Sequence, residues 1–305
     1  MVAISWFCLA GLISILLFLA LYLLIGQSLY SIVFSRNSRF KKKLERRQNN
    51  DFENDFWDEN QFQDVNIISH DGLKLYAKYL NKGGAKVVLL VHGYGGNYKD
   101  MAKYAQIFLN KGYDLLVVDN RAHGKSEGKI VGMSWEDRFD IQSWCEFLTK
   151  VNPCYKIVLF GQSMGASAVC NFAGEKNSYN VVGVIEDCGF DNAYKQILYL
   201  FNRNKIKLKL FFKIFTFYSN KKNGYNLKEV DCLKQLKNTH IPLLIIHGSD
   251  DHFVPTEMAY NIYNSANEFE REIYVAKDAR HTKSFEVDEK KYKNVIYNFL
   301  DKYKI

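Results

Sequence analysis

Proline is scarce in this chain, with three in 305 residues, and there is no Ser/Gly-rich linker and no internal repeat after residue 60. Those absences favour one large domain over two small ones. Charge is missing altogether from Val2 to Ile25, a run dominated by Leu, Ile, Phe and Ala and long enough to cross a bilayer. The run has no basic stretch before it and no small-x-small cleavage site after it, which sets aside a secretory signal peptide. The expectation is an uncleaved single-pass anchor over residues 2–34. No C-x-x-C pair occurs. Cys8 lies in the apolar run, and Cys145, Cys154, Cys170, Cys188 and Cys232 form neither a disulfide framework nor a zinc site, so buried free thiols are expected. No ligand cluster for a metal or cofactor is visible, and none is expected.

The charge that is present is unevenly placed. Arg36, Arg39, Lys41, Lys42, Lys43, Arg46 and Arg47 stand against Glu45 alone, which accounts for six of the chain's eight net positive charges. By the positive-inside rule this flank puts the C-terminal domain in the cytoplasm, and it suits anionic lipid headgroups. A basic excess beside an anchor, without any reader motif, does not indicate a nucleic-acid partner. From Asp51 to Asp64 the sign reverses, with six acidic residues, no basic one, and Phe52, Phe56, Trp57 and Phe62 among them. Residues 35–64 therefore read as a basic, then acidic, juxtamembrane linker whose aromatic part packs on the domain that follows, from residue 65 to residue 305. A disordered acidic spacer is the alternative.

That domain opens with two alternating segments, residues 65–69 and 73–80, joined by His70-Asp71-Gly72, which is hairpin chemistry. Buried β-branched runs then alternate with amphipathic ones. Strands are expected at 86–91, 114–119, 156–160, 181–187, 243–247 and 271–276, with helices near 99–110, 135–149, 164–173, 256–267 and 288–303. The pattern implies a mostly parallel eight-stranded sheet with helices on both faces. From Gly189 to Thr239 no core strand interrupts a basic, Leu-, Phe- and Tyr-rich stretch. An insertion of that length reads as a helical lid, and its lysines suit either solvent or a membrane surface.

In such sheets functional residues sit beyond the carboxyl ends of the strands. Gly161-Gln162-Ser163-Met164-Gly165 follows the strand at 156–160 and opens a small-residue helix, so it reads as a nucleophile elbow. The strand at 86–91 ends in His92-Gly93-Tyr94-Gly95-Gly96. A glycine-rich turn there lets the Tyr94 N–H join the Met164 N–H as an oxyanion pair. His92, at a strand exit, reads as structural rather than as the base. Asp119-Asn120-Arg121-Ala122-His123-Gly124-Lys125-Ser126 reads as a salt-bridged loop supporting that turn. After the seventh strand, Asp250 and Asp251 both offer a carboxylate in a tight loop, and spacing does not choose between them. His281 follows the last strand, free to reach back over the sheet as a base. Ser, Asp, His is the order expected of an elbow serine on this kind of sheet.

From about residue 65 to its C-terminus the chain resembles an α/β-hydrolase, and is most similar to membrane-anchored bacterial members related to the serine aminopeptidase and monoacylglycerol lipase branch. The resemblance is carried by His92-Gly93-Tyr94-Gly95-Gly96, Asp119-x-Arg121-x-His123-Gly124-x-Ser126, Gly161-x-Ser163-x-Gly165, His247-Gly248-x-x-Asp251-x-x-Val254-Pro255 and His281. It implies that Asp251 is the acid, although some relatives take theirs after the sixth strand, which would make it Asp187. Ala122 stands where glycine is usual. The reading is a serine hydrolase of carboxylic esters, of lipid type or with small acyl groups, working through Ser163, Asp251 and His281. The alternative is a serine aminopeptidase or amidase with the same residues. A non-catalytic, membrane-anchored binding protein is the reading from another class.

Overall fold

The computed structural model describes residues 2–38, 41, 51–175, 179–203, 209–266 and 270–305. The basic residues at 39, 42, 43, 46, 47, 205 and 207 lie outside the described residues.

Eight strands form one sheet. They are β1 (Gln63–Ile68), β2 (Lys74–Leu80), β3 (Lys86–Val91), β4 (Asp114–Asp119), β5 (Lys156–Gln162), β6 (Val181–Asp187), β7 (Leu243–Gly248) and β8 (Arg271–Ala276). Their order is β1-β2-β4-β3-β5-β6-β7-β8. β1 and β2 pair antiparallel, β2 runs antiparallel to β4, and every other neighbouring pair is parallel. The central strands are buried on both faces, which is why they read as unbroken Val, Leu and Ile runs rather than as alternating ones. One apolar layer packs under Trp144, Leu148 and Phe172, and the opposite one under Phe108, Tyr292 and Phe299. Helices supply both layers. They include α3 (Ala102–Asn110), α4 (Asp137–Val151), α5 (Met164–Ala173), α9 (Thr256–Ser265) and α11 (Glu289–Lys302).

The acidic stretch before β1 is a helix, α2 (Asp51–Glu59), not an irregular spacer. Phe56 and Trp57 are buried, and Trp57 meets the Tyr98 ring edge-on at 5.0 Å, so its aromatic residues carry it onto the sheet layer as its composition suggested. Between β6 and β7 the insertion contains α6 (Ala193–Arg203), α7 (Lys209–Asn223) and α8 (Cys232–Leu236) among the described residues. Cys145, Cys170, Cys188 and Cys232 are buried free thiols, while Cys154 is exposed on the turn before β5, contrary to the expectation for it.

The N-terminal helix α1 (Val2–Phe34) holds one segment, Trp6–Phe34, that is long and apolar enough to cross a membrane. At 1.5 Å per residue, α1 is about 50 Å long, whereas a hydrocarbon core needs about 20 residues. Its burial changes along its length. From Trp6 to Leu21 every residue is exposed, and from Tyr22 onward a stripe at Tyr22, Gly26, Tyr30 and Phe34, flanked by Ile25, Leu29 and Val33, is partly or fully buried. Spacing of three and four residues is one helical face, and that face lies along α7. Tyr22 and Phe211 ring centroids stand 5.7 Å apart, and Phe34 and Phe215 stand 6.2 Å apart. Gly26 permits the approach, since a Cβ there would come within 2.6 Å of the Ile214 side chain.

Candidate active site

Ser163 sits at the junction of β5 and α5 with φ +54° and ψ −117°, a conformation costly for any residue with a side chain. The surroundings enforce it. A Cβ at Gly161 would run into the Gly165 backbone, and one at Gly165 would run into the Val91 carbonyl, so the helix closes onto the neighbouring strands only with glycine at both places. The Ser163 N–H donates to the Asp187 carbonyl at 2.7 Å, which ties the turn to β6.

His281 lies in the loop after β8, as its position in the sequence suggested. Its Nδ1 is 2.6 Å from Asp251 Oδ2, and its Nε2 is 2.9 Å from Ser163 Oγ. An ionised carboxylate only accepts, so Nδ1 carries the proton, and in the neutral ring Nε2 is left to accept from the serine hydroxyl. Three strand exits thus meet in a line Ser163, His281, Asp251, in which the serine proton has an acceptor and the ring has a fixed tautomer.

Asp251 is buried, and burial alone would raise its pKa. Hydrogen bonds from His247 and His281 outweigh that and hold the carboxyl well below the usual range. Its other oxygen accepts the N–H groups of Phe253 and Val254 at 2.8 and 2.9 Å, so the loop builds itself around the charge. Asp250, left open by spacing alone, instead faces solvent and pairs with His252 at 2.9 Å. Asp187 takes no part in this line. It is buried, accepts from the Tyr292 hydroxyl at 2.8 Å, and burial pushes its pKa up to about 6.

The glycine turn after β3 approaches the serine closely: a Cβ at Gly93 would lie 3.1 Å from Ser163 Cβ. His92 is fully buried, with Nδ1 donating to the Gly93 carbonyl at 2.7 Å and Nε2 accepting from the Asn120 N–H at 3.0 Å. Both ring nitrogens are occupied, and burial lowers its pKa to about 4, so it stays neutral. His123 serves the same turn, its Nε2 accepting from the Gly95 N–H at 3.1 Å while its Nδ1 donates to the Arg121 carbonyl at 2.9 Å. Arg121 in turn is clamped by Asp140 at 2.7 Å and Asp71 at 3.0 Å. Ala122 adopts φ +59°, which explains why glycine is usual there and why the loop carries strain with alanine.

One residue here, quoted in the motif above, was given no role by the sequence. His247, four residues before Asp251, is fully buried and donates through Nε2 to the Val254 carbonyl at 3.0 Å, with Asp251 Oδ2 at 3.3 Å. Burial would lower its pKa, but Asp251 and the nearby Glu186 outweigh burial and raise it. The signal was present in the His247-Gly248-x-x-Asp251 spacing, where a tight loop after a strand brings both ends together. Among the described residues, Cys188 joins Asp251 and His281 in a cluster whose ligand atoms lie within 4.8 Å of one another. The Cys188 thiol there is held protonated by burial, and Asp251 and His281 already bond each other, so the group does not fit a resident metal.

Residues 84–189, which carry β3 through β6 and the elbow, match the family described as Serine aminopeptidase, S33. An uncharacterized Bacillus subtilis protein, YqkD, is 28% identical over 219 residues, which cover 70% of each chain. The mouse monoglyceride lipase is 30% identical over a shorter stretch of 128 residues, 39% of this chain and 41% of that enzyme. Among solved structures, an esterase of Pyrococcus furiosus superposes with a TM-score of 0.69 at 24% identity, covering 82% of this chain and 93% of its own. Sheet order, elbow and these likenesses agree: the chain has the α/β-hydrolase fold, and its residues 84–189 are similar to the serine aminopeptidase and monoacylglycerol lipase branch.

Proposed function

We propose that the protein is a serine hydrolase of carboxylic esters, with Ser163 as nucleophile, His281 as general base and acid, and Asp251 as the carboxylate that orients the ring. The observation that carries this is the unbroken line of hydrogen bonds from Ser163 Oγ to His281 at 2.9 Å and from His281 to Asp251 at 2.6 Å. Ser163 Oγ attacks the acyl carbon while its proton passes to His281 Nε2. The Tyr94 and Met164 backbone N–H groups stabilise the oxyanion, about 3 to 4 kcal/mol being the usual loss when one such donor is removed. The carbon–oxygen bond to the alcohol then breaks, and His281 returns the proton to that leaving oxygen. Water next attacks the acyl-enzyme carbonyl and gives its proton to His281. The acid departs, and the proton returns to Ser163. No step needs a metal or a cofactor.

The apolar stretch of α1 supports a membrane-anchored enzyme, and the basic flank after it favours a cytoplasmic catalytic domain. With Phe212, Phe215, Tyr30 and Phe34 packed beside Met164 in one apolar cluster, the site suits an acyl chain of a lipid-type or small ester met near the bilayer. Nitrophenyl esters of increasing chain length test the reading. Turnover that disappears in Ser163→Ala supports it, and no turnover of any ester opposes it. The family matched by residues 84–189 supports a second reading, an aminopeptidase using the same three residues. Faster turnover of aminoacyl-coumarins than of esters would favour that one.

A further inference from the structure

We infer that the C-terminal end of α1, together with Arg36 and Lys41 beyond it, is a positioning strut for the oxyanion loop, so that the helix proposed above as a membrane anchor also sets the geometry of catalysis. The inference rests on the reaction proposed above for its consequence, but its structural part stands apart from it.

An α-helix ends with carbonyls that have no partner inside the helix. In α1 the last two of these carbonyls are satisfied from the domain. The Val33 carbonyl accepts from the Tyr94 hydroxyl at 2.8 Å, and the Phe34 carbonyl accepts from the Val131 N–H at 2.8 Å. The Ile32 carbonyl accepts from Ser38 Oγ at 2.6 Å, which turns the chain back toward the domain. Tyr94 is the residue whose own N–H is assigned to the oxyanion, so its side chain fixes to the helix while its backbone serves the reaction.

A second route reaches the same loop. The Arg36 guanidinium donates to the carbonyls of Gly124, at 2.7 Å, and of Ser126. Lys41 is buried and its ammonium donates to the Ala122 carbonyl at 2.6 Å. Ser35 and Ile130 form a β-bridge. These contacts stitch α1 and the residues after it to the loop 120–131, whose His123 accepts from the Gly95 N–H. Tyr94 and Gly95 are therefore both referred to α1, one through a phenol and the other through His123.

The reason such a strut is needed is chemical. Of the two oxyanion donors, Met164 N–H is the first turn of a buried helix and is rigid, whereas Tyr94 lies among glycines that impose little conformation of their own. An oxyanion donor works only when it is held in place before the charge develops. Loosening it weakens the transition state and leaves ground-state binding alone, which predicts a loss in kcat without a change in KM.

The test uses the full-length protein in detergent, with a short-chain water-soluble nitrophenyl ester, and compares the parent with Tyr94→Phe and Lys41→Met. Each substitution is read by kcat and KM and by backbone amide hydrogen exchange at residues 93–96. The expected result in both is a fall in kcat of about tenfold, KM within twofold, and faster exchange confined to that loop. Unchanged exchange at 93–96 in both variants overturns the strut, whatever the activity. Faster exchange with kcat within twofold of an active parent overturns its role in the reaction, as does a rise in KM matching the loss in kcat. A parent that turns over no ester at all removes the proposed reaction, and the exchange data then decide the strut alone.

Discussion

His247 Nε2 lies 3.3 Å from Asp251 Oδ2, the same carboxylate oxygen that receives His281 Nδ1 at 2.6 Å. Asp251 is thus held between two imidazoles, only one of which reaches the serine. His247 is buried and its Nε2 also satisfies the Val254 carbonyl, so replacing it leaves two acceptors short of a donor. His247→Ala is expected to lower stability by about 1 to 3 kcal/mol, the usual cost of stranding buried polar groups. Denaturant unfolding measures it, and a midpoint equal to the parent's contradicts the assigned contact.

The two adjacent carboxylates separate cleanly in the structure, one buried against His281 and the other at the surface beside His252. Asp251→Asn keeps the size of the side chain but admits the wrong imidazole tautomer, and is expected to reduce kcat by up to about 10⁴-fold. Asp250→Asn is expected to remain within twofold of the parent. Ester kinetics on the two variants decide the matter, and equal losses in both would remove the assignment.

Glu186 is buried near His247, one of its oxygens accepts the Gly189 N–H at 2.8 Å, and burial pushes its pKa up to about 7. A carboxyl whose folded pKa exceeds its unfolded value of about 4.3 binds more protons in the folded state between the two. Its contribution to stability is therefore full below about pH 4 and declines as pH rises toward 7. Glu186→Gln removes that titration. Melting temperature plotted against pH is expected to fall less steeply from pH 5 to 7 in the variant than in the parent.

The elbow leaves no room at Gly165, where a Cβ meets the backbone of β3 rather than a side chain that could turn away. Gly165→Ala is expected to cost about 3 kcal/mol or more, since a rigid backbone must move to admit it. Urea unfolding of the variant checks this, and a loss below about 1 kcal/mol would mean that the strand and helix are less tightly closed than they stand here.

Much of this was legible in the sequence, for identifiable reasons. The sheet was visible because its central strands are buried on both faces and leave unbroken apolar runs such as Val87–Val91. Ser163 was visible because its turn demands glycine at 161 and 165, and that demand is local. Asp251 was not separable from its neighbour by spacing, because burial is decided by the loop's path and not by residue type. The helix at Asp51–Glu59 was hidden by composition, since nine residues dominated by acid and aromatic side chains give a weak local preference and their docking on Tyr98 is a tertiary contact. The double life of α1 was equally hidden. Its exposed stretch and its packed stripe are both apolar, so no change of periodicity marks the point at Tyr22 where one gives way to the other.

The central claim is that Ser163 is an activated nucleophile, and covalent labelling tests it most directly. A fluorophosphonate probe applied to the full-length protein and to Ser163→Ala is expected to label the parent at Ser163 and to leave the variant unlabelled. Equal labelling of both proteins, or none of the parent, would contradict it.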